Sequence, residues 1–176
     1  MNAHALPWPR RSPVRRSFAE AAETHLDDVV RYLTVFTGDP AVAEDLAGET
    51  FEKALRAWRR FDSARASERT WLCGIARNVA LDHFRSEARR RRRDERYAAQ
   101  VADSPAPPAE GLSPELEEAL ATLTAGEREV LALRIVLDLD AESAARILGI
   151  GRTACSMRLS RALAKLEERI EADGHS

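Results

Sequence analysis

Two cysteines, few aromatic residues and no long apolar run set the first limits on this 176-residue chain. Cys73 and Cys155 lie far apart inside helical patterns, with no Cys or His at metal-ligand spacing. That excludes a disulfide framework and a zinc finger, and it points to reduced core thiols in a cytosolic protein. Aromatic residues make up only 6% of the chain, while Ala, Leu, Glu and Arg dominate, which favours helices over sheet. No stretch approaches the roughly 18 apolar residues of a membrane span, so no membrane insertion is expected. The start, MNAHALPWPRRSPVRR, has arginines but no apolar segment behind them, and residues 1–16 read as a disordered basic arm rather than a secretory signal. Catalytic signals are missing too. His4, His25, His83 and His175 are scattered, and there is no phosphate-binding glycine loop and no defensible nucleophile–base pair. Neither an enzyme nor a bound cofactor or metal is expected.

What is present concentrates between Arg69 and Arg93, RTWLCGIARNVALDHFRSEARRRRR. At 100° per residue Leu72, Ile75, Ala76, Val79 and His83 share one side of a helix. Asn78, Asp82, Arg85 and Arg89 share another, with Trp71 near the same line. Amide, carboxylate and guanidinium groups can read base edges, and an indole can stack on an unpaired base. A solvated face beside a core tryptophan would show the same pattern.

Net charge is −2, but its distribution is uneven. Residues 1–96 hold 19 Lys and Arg against 15 Asp and Glu, whereas residues 112–176 hold 8 against 12. Duplex affinity comes largely from phosphate neutralisation. A chain with an acidic C-terminal part should therefore hold DNA weakly by itself, and a partner should supply much of the affinity.

The pattern predicts two helical blocks, residues 17–96 and 114–172, joined by a linker over 97–113. Pro105, Pro107, Pro108 and Gly111 cluster in the linker, and 17 residues span at most roughly 55 Å. The first block opens with a helix whose stripe is Phe18, Ala21, Ala22, His25, Leu26, Val29, Val30, Leu33 and Phe36. Gly38 then suits a left-handed stop, Asp39 a cap and Pro40 a first helical position. The next helix buries Ala43, Leu46, Ala47, Phe51, Ala54, Leu55 and Trp58 and exposes Asp45, Glu49 and Glu52. That acidic stripe fits either the helix dipole or a basic docking partner. In the second block Leu112, Leu116, Leu120 and Leu123 mark a short helix. Thr124 and Glu127 form a capping box that opens a helix through Val136. Asp140 caps a further helix to Leu148.

The last pair of helices, AESAARILGIGRTACSMRLSRALAKL, has a helix-turn-helix layout. Ala145 is small where the helices cross, Gly149 allows positive φ, and Cys155, Leu159, Ala162, Leu163, Leu166 and Ile170 form the buried stripe. Thr153, Met157, Ser160, Arg161 and Ala164 are left on the free face, flanked by Arg152 and Ser156. A plain helical hairpin would look alike.

Three runs carry a resemblance: EDLAGETFEKALRAW (Glu44 to Trp58), RTWLCGIARNVALDHFR (Arg69 to Arg85) and LTAGEREVLALR with AARILGI and MRLSRALAKL (Leu123 to Leu166). They resemble the extracytoplasmic-function (ECF) RNA polymerase sigma factors of the sigma-70 family. The resemblance implies an all-α fold, with a sigma domain 2 bundle and a sigma domain 4 helix-turn-helix on a Pro-rich linker. It implies a chain that binds core RNA polymerase, directs it to promoters and helps melt the −10 element. Asp45, Glu49 and Glu52 become candidates for docking on the β′ clamp helices. Trp71, Asn78, Asp82, Arg85 and Arg89 become −10 candidates. Arg152, Thr153, Ser156, Met157, Ser160 and Arg161 become −35 candidates in a domain seated on the β flap. Promoter DNA and core polymerase are the implied partners, with an anti-sigma factor a further one that the sequence does not identify.

The chain departs from the family pattern at three places. Gly48 stands where glutamine is usual, at a cost of up to about 1 kcal/mol in helix stability. Gly151 stands for a serine cap, and Ala154-Cys155-Ser156 for a threonine-valine-lysine run, which removes a phosphate-type lysine. A stand-alone helix-turn-helix repressor or activator is the alternative, but no dimerisation surface or ligand domain is evident.

Overall fold

The computed structural model describes residues 16–97 and 114–173. The expected basic arm, apart from Arg16, and the expected linker, apart from Tyr97, lie outside the described residues. Among these residues there are seven α-helices: α1 (Phe18–Thr37), α2 (Pro40–Ala57), α3 (Glu68–Tyr97), α4 (Pro114–Ala121), α5 (Ala125–Leu131), α6 (Ala141–Leu148) and α7 (Arg152–Asp173). A 3₁₀ turn, Trp58–Arg60, closes α2.

Local chemistry sets most boundaries. The Ser17 hydroxyl accepts from the Glu20 N–H at 3.2 Å, and the Glu20 carboxylate accepts in return from the Ser17 N–H. Gly38 ends α1 in the left-handed region, at φ 75°. Asp39 accepts from Ala41 and Val42 N–H groups ahead of Pro40. Thr124 and Glu127 form the expected capping box of α5. Each bond satisfies an amide that the helix itself leaves unpaired.

The buried faces are shifted from the predicted ones. Leu55 is 58% exposed, because it stands about 100° off the buried line of Ala43, Leu46, Ala47, Thr50 and Ala54. Thr50 takes the interior place, its hydroxyl satisfied by the Leu46 carbonyl at 2.7 Å. Leu26 is 47% exposed and lines a groove between α1 and α2 opposite Gly48, which has no side chain to cover it. Leu116 is also exposed, whereas Tyr32, Cys73 and Ala80 are buried. The helix opened by Thr124 does not stay α-helical to Val136. It widens at Ala132–Val136 into a π-helical turn, in which the Leu137 N–H reaches the Ala132 carbonyl.

The two blocks pack against each other. One hydrophobic core runs from Val29, Leu33 and Leu72 in the first block to Val130, Leu133 and Cys155 in the second. Helix α1 lies against α5 and the π turn, and α3 lies against α6. Tyr32, outside the predicted stripe of α1, is buried because α5 covers that side.

Candidate nucleic-acid and polymerase interfaces

Helix α3 runs unbroken for 30 residues, into and past the arginine run. Its start is held by Ser67, whose hydroxyl accepts from the Thr70 N–H at 3.1 Å. The loop before it is shaped by the Asp62 carboxylate, which accepts from the Ala64 N–H at 3.0 Å. Asn78, Asp82, Arg85 and Arg89 are all exposed. Asp82 and Arg85 form an ion pair at 2.9 Å with both side chains well solvated. Such a pair adds little stability, so both groups can turn to other partners at low cost.

Trp71 is placed differently from its neighbours on that line. Its ring is half-buried in an aromatic cluster, with centroids 5.2 Å from Phe61 and 5.8 Å from Trp58. It also borders a cleft of about 360 Å³ together with Thr70, Ile75 and Asn78, and Arg146 and Ile147 of α6 form the opposite wall. A guanidinium N–H of Arg146 donates to the Arg65 carbonyl at 2.9 Å, tying α6 to the loop before α3. The second block therefore stands over Trp71 and Asn78, while Asp82, Arg85 and Arg89 lie along the exposed continuation of the helix.

In the second block the Asp140 carboxylate accepts from the N–H groups of Glu142 and Ser143, each at 2.9 Å. Gly149 turns the chain at φ 67°, and the Ile150 N–H returns to the Ala145 carbonyl at 3.1 Å. Cys155 and Ala162 of α7 are fully buried. Arg152, Thr153, Ser156, Met157, Ser160 and Arg161 are all exposed, with Met157 at 53%. An apolar floor of Leu159 and Leu163 lies in a shallow groove beside Ser156 and Ser160. Gly151 makes no side-chain cap, but its carbonyl accepts from the Cys155 N–H at 3.0 Å, so the first turn of α7 closes without the serine.

On α2, Asp45, Glu49 and Glu52 are exposed as expected from periodicity. Lys53 lies 2.7 Å from Glu49, and Arg56 lies 3.2 Å from Glu52. These one-turn pairs damp the acidic stripe without neutralising Asp45.

The most constrained polar group was not among the sequence candidates. The Glu129 carboxylate is nearly fully buried and accepts from Arg77 Nε at 2.6 Å and from the Tyr32 hydroxyl at 3.3 Å. Burial raises the Glu129 pKa from its ordinary value, with Arg77 partly opposing it. Burial, with the Glu129 charge beside it, lifts the Tyr32 phenol well above its ordinary value. No periodic signal marks these three, because Glu129 reads as a solvated acid until α5 meets α1 and α3. Both cysteines are buried, and burial pushes the Cys73 thiol up to about 12, so it is no nucleophile. Among the described residues no group of three His, Cys, Asp or Glu could hold a metal ion, and no helix is long and apolar enough to cross a membrane.

Comparison with known proteins gives these surfaces a context. The family model of Sigma-70 region 2 matches residues 21–90, and that of Sigma-70 region 4 matches residues 113–166. The ECF RNA polymerase sigma factor SigC of Mycobacterium tuberculosis is 39% identical over 139 residues, covering 77% of this chain and 73% of the relative. SigX of Bacillus subtilis, also an ECF RNA polymerase sigma factor, is 27% identical over 90% of this chain and 86% of its own length. Among solved structures, the sigma factor RpoE in complex with the anti-sigma factor NepR from Bartonella quintana superposes with a TM-score of 0.70. It is 27% identical over 89% of this chain and 98% of that one. CnrH in complex with the cytosolic domain of CnrY gives a TM-score of 0.64 at 25% identity, over 89% and 88% of the two chains. With both sigma-70 regions matched in order and relatives alike along most of its length, this chain belongs to the ECF RNA polymerase sigma factors.

Proposed function

We propose the following division of labour within this initiation factor. Asp45, Glu49 and Glu52 dock the first block on core polymerase. Trp71, Asn78, Asp82, Arg85 and Arg89 take the −10 element as it opens. Arg152, Thr153, Ser156, Met157, Ser160 and Arg161 enter the major groove at the −35 element. The chain acts in the cytoplasm, without chemistry of its own. The observation that carries this is the coexistence of two exposed polar helix faces, on α3 and α7, each backed by a packed stripe and joined in one chain. Family membership sets aside the stand-alone repressor, and the acidic second block agrees with a chain whose DNA affinity is completed by polymerase.

Closure of the two blocks bears on the order of events. One to two turns of duplex between promoter elements span roughly 35–70 Å, whereas packed helices lie about 8–10 Å apart. With α6 against α3 both faces cannot reach their elements, so the second block leaves the first when the holoenzyme forms. A protein that bound the closed form better than the open one would hold the factor inactive. The RpoE and CnrH structures, each bound to a partner, make an anti-sigma factor the natural candidate for that role.

Transcription with purified core polymerase on randomised promoters tests the assignment. Replacing Arg152 to Arg161 by the matching segment of a related sigma factor should move preference at the −35 element alone. A coupled change at the −10 element, or no change, would remove α7 from promoter choice.

A further inference from the structure

Glu129 belongs to the second block, but both of its hydrogen bonds come from the first. Arg77 Nε and the Tyr32 hydroxyl donate to the same oxygen, Oε1. Room for a further donor remains on Oε2, and the second block carries one. Arg158 of α7 is partly buried and, among the described residues, forms no ion pair. Its guanidinium rests on Gly126 of α5, where a Cβ would meet Arg158 Nη1 at 3.3 Å. Gly126 and Glu129 stand three positions apart and so share a face of that helix. Arg158 also lies two helical turns before Lys165, whose ammonium bonds Glu127 of α5 at 2.8 Å. Helix α7 therefore turns both cations toward α5.

Charge reaches the Glu129 carboxylate from both blocks. Burial weighs most on it, Arg77 opposes burial, and Arg158 acts in the same sense as Arg77 with less weight. A carboxylate held out of water is tolerated only while it is paired. Separating the blocks would take Arg77 and Tyr32 away together, whereas Arg158 travels with Glu129.

We propose that Glu129 exchanges partners as the blocks separate, leaving Arg77 and Tyr32 of the first block for Arg158 of its own. The inference rests on the reading that the second block leaves the first when the holoenzyme forms. The carboxylate is then never stranded, which lowers the barrier to opening. The new pair also ties α5 to α7, so the helix with the −35 candidates gains a contact in the form that uses it. Arg77 and Tyr32 favour the closed form and Arg158 the open one, although all three act on a single side chain. None of the three is among the docking or DNA-reading candidates.

The test uses the full chain. Energy transfer between dyes carried at the exposed positions Glu23 and Glu168 reports closure, and affinity for core polymerase is measured without DNA. Arg77→Gln should lower the transfer and tighten core binding by about tenfold, the weight of a hydrogen bond to a charged group. Tyr32→Phe keeps the ring and should act in the same direction by less. Arg158→Gln should do the opposite, weakening core binding by roughly threefold, because its pair is the more solvated one. In a Glu129→Gln background neither arginine substitution should matter. Circular dichroism checks that each variant folds. An Arg158→Gln variant that shifts nothing, or shifts in the direction of Arg77→Gln, would reject the exchange. So would an Arg158→Gln effect that persists beside Glu129→Gln. Wild-type energy transfer that does not fall when core is added would remove the separation itself, and the exchange with it.

Discussion

Arg77 Nε donates to the Glu129 carboxylate at 2.6 Å, across the boundary between two blocks and 52 residues of sequence. Arg77 is partly solvated and Glu129 is not. Removing the arginine therefore strands a buried carboxylate whose remaining partner is the Tyr32 hydroxyl. Removing both charged groups together does not.

Arg77→Ala should consequently lose about 3 kcal/mol of stability at neutral pH, measured by urea unfolding. Arg77→Met combined with Glu129→Leu should recover most of it. The loss should also shrink in acid. A buried carboxyl with a raised pKa binds its proton more readily folded than unfolded, so the variant gains relative stability as pH falls and Glu129 becomes neutral. A loss that does not vary with pH would show that Arg77 acts by packing alone.

Asp45→Arg with Glu49→Arg should abolish association with core polymerase while leaving the melting temperature nearly unchanged. Both side chains are exposed, and the Glu49–Lys53 pair is of the one-turn kind that contributes a few tenths of a kcal/mol. Charge reversal across a docking interface costs several kcal/mol. Undiminished co-purification with core would make the stripe ordinary surface.

Asn78→Ala should impair promoter opening without weakening holoenzyme assembly. Its amide faces the cleft walled by Arg146 and Ile147 and leaves the core untouched. A lost contact to an extruded base costs about 1–3 kcal/mol. Permanganate footprinting of the opened strand reads this directly, and opening at the wild-type level would assign Asn78 another role.

Glu127 shows the opposite behaviour to Glu129, two residues away. The Lys165 ammonium, bonded at 2.8 Å, and the Thr124 N–H hold its pKa down to about 2 from the usual 4.5. A carboxyl lowered on folding contributes its full share above the unfolded value and loses it as pH falls toward the folded one. Stability should therefore drop between about 4.5 and 2. Lys165→Met should be less stable at neutral pH and flatter through that window. Parallel profiles for the two proteins would show the ion pair to be energetically silent.

Much of the architecture was legible in the chain because its causes are local. Ser17, Asp39, Thr124 and Asp140 cap helices through bonds two or three residues long. Gly38 and Gly149 stop helices because they tolerate positive φ. The exposed faces of α2, α3 and α7 follow from a 3.6-residue repeat set against a few apolar residues. Order along the chain then sufficed for the family resemblance.

Packing between segments distant in sequence decided the rest. In GEREV, Glu127 and Glu129 look like similar surface acids, yet one is held ionised by Lys165 and the other is buried under Tyr32 and Arg77. Leu26 and Leu55 have core-type side chains, but Gly48 leaves one uncovered and a rotation of about 100° turns the other outward. Trp71 lies on the predicted line, but its neighbours are Trp58, Phe61 and a wall from α6. The burial of a side chain depends on every element that reaches it. For this chain the deciding element was the second block closing on the first, a contact that no periodicity within either block encodes.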